Sequence, residues 1–299
     1  MIEKILWVIC GATASGKSDL ALALAEKYDG EIVNADSRQI YKGLEIGTAA
    51  PNNIERARVP HHLYSFLSPD KIYSAADYSN DARKMIRAIF KRGKQPIVVG
   101  GTGLYIKALI DGLSALPQKN SELRAQLQQR LQQEGSLVLH EELRKIDPES
   151  AQRIPHQNTQ RLIRALEVCH LGKKPLSVLQ KENAPVPIEF EVKLFGLFWD
   201  RKILRQRIEK RSAQIFPAIV EETKKLLAQK YDEKIPALQS LGYAQALQFL
   251  HGKISKETAI ALLSTKTMQY AKRQQTWFKA DARVQWVEGS SPQQEIKLI

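Results

Sequence analysis

Cysteine is nearly absent from this chain: among 299 residues only Cys10 and Cys169 carry a thiol. Two cysteines cannot build a four-sulfur zinc site or a disulfide framework. They fit a protein kept in a reducing cytoplasm. No apolar run reaches the roughly 18 residues of a membrane helix. The apolar stretch at 2–10 is too short to span, lacks a cleavage site and runs straight into a glycine-rich loop, so it does not read as a signal peptide. A soluble cytoplasmic protein with no membrane segment is expected. Internal repeats and low-complexity tracts are missing as well. Acids are also in short supply, with 32 Asp and Glu against 45 Lys and Arg, a formal net charge of +13. That surplus points to a polyanionic partner larger than a nucleotide, although a generally basic surface gives the same count. At 43% hydrophobic the chain is not disordered. Its length suits one large domain or two smaller ones.

What is present begins with Gly11-Ala12-Thr13-Ala14-Ser15-Gly16-Lys17-Ser18. Glycine, four residues, then Gly-Lys-Ser is the phosphate-loop pattern. The apolar run 5–10 ahead of it reads as a buried strand, and the alanine-rich stretch 20–28 after it reads as a helix. Glycines let the backbone curl so that successive N–H groups face phosphate oxygens, and the helix N-terminus adds its positive dipole end. Lys17 supplies a cation, and the Ser18 hydroxyl can ligate Mg²⁺. The loop implies a bound polyphosphate without saying which one.

Three runs, 5–10, 31–35 and 96–100, read as strands of a parallel sheet, with a helix over 78–90 between the last two. Alternating strands and helices predict an α/β fold of the P-loop NTPase type, a parallel sheet flanked by helices. The texture changes near Gly112. Residues 113–185 are rich in Gln, Arg and Leu with little strand signal, and read as an inserted all-helical domain. A strand returns at 189–198, helices dominate from Arg201, and a last strand is expected at 283–287. The catalytic core is thus assigned to 1–112 and 186–299.

Asp36 ends the second strand beside the phosphate loop, where a carboxylate can take a proton or hold a metal through water. A helix-capping or turn aspartate is the bland alternative. Gly100-Gly101-Thr102-Gly103 ends the third strand, allows close ligand approach and offers a hydroxyl to a phosphate oxygen. Arg161 and Arg164 share a helix face, and their spacing alone reads as a solvated basic face. Arg201, Arg205, Arg207 and Arg211 stud a later helix, from which one can reach a diphosphate. The stretch 270–278 interleaves bases and aromatics, as a nucleic-acid edge or an amphipathic closing helix. His61 and His62, being adjacent, read as structural.

These pieces, in this order, closely resemble one family, the tRNA dimethylallyltransferases or tRNA isopentenyltransferases. Besides the loop at 11–18, the matching segments include Asp-Ser-Arg-Gln-Ile-Tyr-Lys-Gly at 36–43 and Val-Gly-Gly-Thr-Gly-Leu-Tyr at 99–105. Others are Gln-Arg-Leu-Ile-Arg-Ala-Leu-Glu-Val at 160–168, Leu-Gly-Tyr at 241–243 and Ala-Lys-Arg-Gln at 271–274. The resemblance spans almost the whole chain. It implies transfer of a dimethylallyl group from dimethylallyl diphosphate to N6 of the adenosine 3′-adjacent to the anticodon in tRNA. It further implies that Gly11, Thr13, Ala14, Ser15, Gly16, Lys17 and Ser18 hold the diphosphate, with Mg²⁺ on Ser18. By the same resemblance Asp36, Thr102 and Arg211 are catalytic. Asp36, Ser37, Arg38, Gln39, Arg124, Gln160, Arg161 and Arg164 then contact the tRNA anticodon loop, the helical insertion at 113–185 being the tRNA-binding domain. A monomer of the bacterial type, without a zinc finger, is expected. The chain departs from the family pattern at Ala12, His156, Gln157-Asn158, Gln239 and Met268, the last two at positions where an arginine is common. Competing readings are a P-loop small-molecule kinase, a prenyltransferase acting on free AMP, ADP or ATP, and a non-enzymatic RNA-binding protein.

Overall fold

Short apolar runs form most of the strands, and all six described strands lie in one parallel sheet. In chain order these are β1 (Ile5–Gly11), β2 (Gly30–Asn34), β3 (His61–His62), β4 (Gln95–Val99), β5 (Glu191–Phe198) and β6 (Val284–Glu288). The spatial order is β3-β2-β4-β1-β5-β6. The computed structural model describes residues 4–289. β1 lies at the sheet centre, with Val8 opposite Val98 on one side and Leu194 on the other. Strands buried on both faces read as continuous apolar runs, and residues 6–11 of β1 are buried throughout.

Helices cover both faces. Ala82, Ile86 and Ile89 of the helix Ala75–Lys91 pack on Val8, Val33 and Val98. Leu20, Ala21 and Leu24 of the helix Lys17–Lys27 pack on Ile9, Ile32 and Ile97 on the opposite side. Ser74 and Asp77 start the former helix as a reciprocal cap, the Asp77 N–H donating to Ser74 Oγ and the Ser74 N–H to Asp77 Oδ2. Cys10 is fully buried in β1, and burial pushes its thiol up to about 12, so it acts as a core residue.

The structure adds an edge strand that the sequence did not announce. His61 and His62 pair with Ile32 and Val33 of β2. The His62 ring nitrogen meets the buried Glu31 carboxylate at 2.6 Å, and Arg92 grips the same carboxylate. The pair is therefore structural. No cluster of metal-ligating side chains occurs among the described residues.

The chain divides into two compact units, Met1–Ile110 with Ile188–Ile299, and Asp111–Pro187. The second unit is entirely helical, with a core of Leu127, Leu139, Leu143, Leu162, Leu166 and Val168. Asp147, almost fully buried, holds it locally: its carboxylate caps the helix Pro148–Arg153 through the Ser150 N–H at 3.0 Å and accepts the N–H and hydroxyl of Ser177, each at 2.8 Å.

Candidate active site

The phosphate loop leaves the central strand β1 and ends at Gly16, whose φ of 90° is open to glycine and strained for other residues. This turn delivers Lys17 to the first position of its helix. The Lys17 ammonium donates back to the Ala12 carbonyl at 2.9 Å. Burial lowers its pKa to about 8, with the Asp36 carboxylate opposing the shift and Arg211 adding to it. Two loop carbonyls are braced from outside. Arg207 Nε donates to Ala14 O and Trp199 Nε1 to Ser15 O, each at 2.8 Å. The Arg207 guanidinium stacks 4.5 Å from the Trp199 ring centre. The Ser15 hydroxyl is buried with no hydrogen-bond partner among the described residues.

Asp36 follows β2 and is set by its own neighbourhood. Its N–H donates to Asn34 Oδ1 at 2.8 Å, while Asn34 Nδ2 donates to the Asp36 and Leu63 carbonyls. One carboxylate oxygen accepts the Arg38 N–H at 2.8 Å. Thr102 accepts the Ser37 N–H at 2.9 Å and donates to Ser37 Oγ. Its hydroxyl proton is thus engaged by the Asp-Ser-Arg-Gln segment.

Two adjoining cavities open at this sheet edge. The first, of about 710 Å³, is lined by Thr13, Ala14, Gly16, Lys17 and Ser18, and by Arg207, Lys210 and Arg211. The second, of about 650 Å³, is lined by Ser37, Arg38, Thr102, Lys266, Tyr270 and Arg273. Thr13, Asp36, Thr48 and Arg211 line both. The catalytic set named from sequence therefore divides: Asp36 and Arg211 stand where the cavities meet, and Thr102 lines the second alone. Burial lowers the pKa of Arg211, and Asp36 opposes that shift. Tyr270 is pushed up to about 12, first by burial and then by the Asp36 charge.

Other expected residues are engaged elsewhere. Gln39 lines the first cavity, but its amide nitrogen donates to the Thr48 and Ala49 carbonyls at 3.0 and 2.8 Å. In the helical unit, Arg124 and Arg164 both donate to the fully buried Glu167, at 2.6 and 2.8 Å, and Arg164 also donates to Pro117 O. Arg161 and Gln160 on the same helix, Thr159–Gly172, are exposed. Gln239 donates to Glu233 O and lines the second cavity. Met268 packs with Leu204 and Trp199.

Sequence reasoning left the roles of several site-building residues unassigned. Gln274 bridges the loop and β4: its carbonyl accepts the Thr13 N–H at 2.8 Å and its nitrogen donates to Gly101 O at 2.9 Å. Trp199 and Arg207 brace the loop. The mixture of bases and aromatics at 270–278 drew notice to the closing helix, but single-sequence spacing cannot say that Gln274 faces the phosphate loop across more than 250 residues.

A glycine loop between a central parallel strand and a helix, with a carboxylate at the end of the next strand but one, defines a phosphate-loop α/β protein with a second cavity beside the loop. The IPP transferase family model matches residues 39–281, and the chain belongs to that family. It is 44% identical over 290 residues to the tRNA dimethylallyltransferase of Koribacter versatilis, covering 97% of this chain and 94% of the relative. It is 43% identical over 284 residues to that of Geobacter sulfurreducens, covering 95% and 91%. Among solved structures, the tRNA isopentenylpyrophosphate transferase of Bacillus halodurans superposes with a TM-score of 0.70 at 34% identity, covering 96% of this chain and 90% of the other. A eukaryotic dimethylallyltransferase acting on tRNA superposes with a TM-score of 0.82 at 27% identity, covering 96% and 74%.

Proposed function

We propose that this protein is a tRNA dimethylallyltransferase. It moves a dimethylallyl group from dimethylallyl diphosphate to N6 of the adenosine 3′-adjacent to the anticodon, releasing diphosphate. The observation that carries this reading is the meeting of two cavities on Asp36 and Arg211, one built on a phosphate loop and the other on a basic, aromatic helix. A kinase for a small substrate needs no second basic cavity of this size.

In the reaction N6 attacks the first carbon of the dimethylallyl group, the carbon–oxygen bond breaks, and its electron pair leaves with the diphosphate. Lys17 and Arg211 stabilise charge that grows on the departing oxygen. Asp36 accepts the N6 proton: the Arg38 N–H holds one of its carboxylate oxygens, and the other has no hydrogen-bond partner among the described residues. An adenine amino group is a weak nucleophile, so holding it beside the electrophile matters as much as the base. The base must leave its stack to reach Asp36.

A Mg²⁺ ion fits the donor chemistry of the first cavity, where the exposed Ser18 hydroxyl stands with the Asp19 and Asp36 carboxylates. These are hard oxygen donors, too few for an all-protein cage, as suits an ion that keeps water and shares substrate phosphate. Ser18 would hold it, and it would neutralise charge on the leaving diphosphate. The unit Asp111–Pro187 supplies the tRNA-binding surface through Gln160 and Arg161, and the enzyme acts as a cytoplasmic monomer.

The test mixes the protein, dimethylallyl diphosphate and unmodified tRNA and identifies nucleosides by mass. Gain of one dimethylallyl group on adenosine, with free AMP left unmodified, is the expected result. Modification of AMP at the same rate as tRNA would instead favour an adenylate-type enzyme, and phosphoryl transfer from ATP would favour a kinase.

A further inference from the structure

One buried carboxylate in the core unit has no ion-pair partner among the described residues. Glu222, on the long helix Arg201–Ala228, is 7% exposed. Its two oxygens accept the Ile46 N–H at 2.7 Å, the Gly47 N–H at 2.9 Å and the Tyr243 hydroxyl at 2.7 Å. Buried carboxylates are normally paired with a cation or shed their charge. Here two backbone N–H groups at the start of a single helical turn, Glu45–Thr48, and one phenol do the holding.

That turn is a wall of both cavities. Glu45, Ile46 and Thr48 line the first, and Gly47 and Thr48 the second. Ile46 is 57% exposed, and lines the same cavity as Lys17, Arg207 and Arg211. The fit against Tyr243 is close: a Cβ on Gly47 would collide with the Tyr243 hydroxyl and come within 2.7 Å of Ile219. Tyr243 itself is fully buried. Its hydroxyl also lies 3.2 Å from the carbonyl of Leu44, the residue that precedes the turn.

We infer that Glu222 and Tyr243 are positioning residues for prenyl transfer, which act by fixing the turn Glu45–Thr48 as the wall of the diphosphate cavity. The inference rests on the proposed reaction. Neither side chain lines the first cavity, so their effect passes through the turn. Removing either should loosen the wall on which the substrate is seated while leaving Lys17, Asp36 and Arg211 in place.

The test is steady-state kinetics on Glu222→Gln and Tyr243→Phe, well below the Tm of each variant. Glu222→Gln turns an N–H donor toward a backbone donor. Tyr243→Phe keeps the packed ring and removes only the hydroxyl, so it tests the pair even if the first variant folds poorly. The KM for dimethylallyl diphosphate should rise about tenfold in Glu222→Gln and several-fold in Tyr243→Phe. The kcat at saturation should stay within about threefold of the parent, because no group acting on the reacting atoms is altered. A lowered Tm with KM unchanged in both variants would overturn the inference and leave the pair purely structural. A fall in kcat with KM unchanged would overturn it as well. The parent protein is assayed alongside: if it transfers no dimethylallyl group, the proposed function fails, whereas an active parent with indifferent variants sinks only the positioning role.

Discussion

Gln274 and Thr13 are joined by a hydrogen bond of 2.8 Å, from the loop N–H to the side-chain carbonyl, though they lie at opposite ends of the chain. The same amide donates to Gly101 O, so one side chain ties the phosphate loop to the loop after β4. Gln274 is 4% exposed. Gln274→Ala would strand a half-buried N–H and a buried carbonyl. It should cost about 1–3 kcal/mol of stability and lower kcat/KM for the diphosphate substrate, as read by thermal melts and kinetics on the same preparation. Gln274→Glu should be worse than its shape suggests, because it sets a carboxylate oxygen against Gly101 O.

Lys17→Ala should reduce turnover by roughly 10²–10³, the usual loss when one well-placed donor to a developing anion is removed. Single-turnover assays at saturating diphosphate separate this from weaker binding. Turnover close to that of the parent would remove Lys17 from the mechanism.

Asp36→Asn should abolish most transfer and leave the fold intact. An amide oxygen can still accept the Arg38 N–H, so local geometry survives while proton acceptance is lost. An unchanged melting curve with transfer near zero is the expected pair of results. Transfer at the parent rate would send the search for a base elsewhere.

The lowered Lys17 pKa gives opposite pH signs for activity and stability. As pH rises through about 8, folded Lys17 loses its proton, and kcat/KM for the diphosphate substrate should fall. Over the same window, up to the ordinary value of 10.5, the unfolded chain holds more protons than the folded one, so stability should rise with pH as the cost of burying the charged ammonium is relieved. Below about 8 both states hold the proton, and the cost of burying the charged ammonium is present in full. A pH series of kinetics and melts tests both arms, and kcat/KM flat across pH 8 would contradict the assignment.

The arginines of the helical unit should separate. Arg161→Ala should raise the KM for tRNA by an amount equivalent to about 1–3 kcal/mol, steepen no melting defect, and leave the KM for dimethylallyl diphosphate alone. Arg164→Ala takes a partner from the fully buried Glu167 and should lower the stability of its unit by about 1–3 kcal/mol. Titrating each substrate against each variant at fixed salt, with melts in parallel, decides between the two roles.

Much of the core was legible locally, because the relevant signals are local. A buried parallel strand needs a run of apolar residues, a phosphate loop needs its glycines and lysine in fixed order, and a capped helix announces its start. Hence β1, β2, β4, β5 and β6, the loop and the placement of Asp36 at a strand end follow from the order of residues alone. β3 did not, since His61 and His62 are two polar residues whose strand exists only because β2 offers an open edge.

What tertiary structure alone decided is the partner of each polar side chain. Arg211 and Asp36 line the same two cavities, and Gln274 and Glu222 reach backbone N–H groups far away in sequence. Arg124 and Arg164, which look like RNA contacts by motif, donate to Glu167. The physical reason is that periodicity records which face of an element is buried, whereas a hydrogen bond depends on distances of a few ångströms between elements whose relative placement only the packed core fixes.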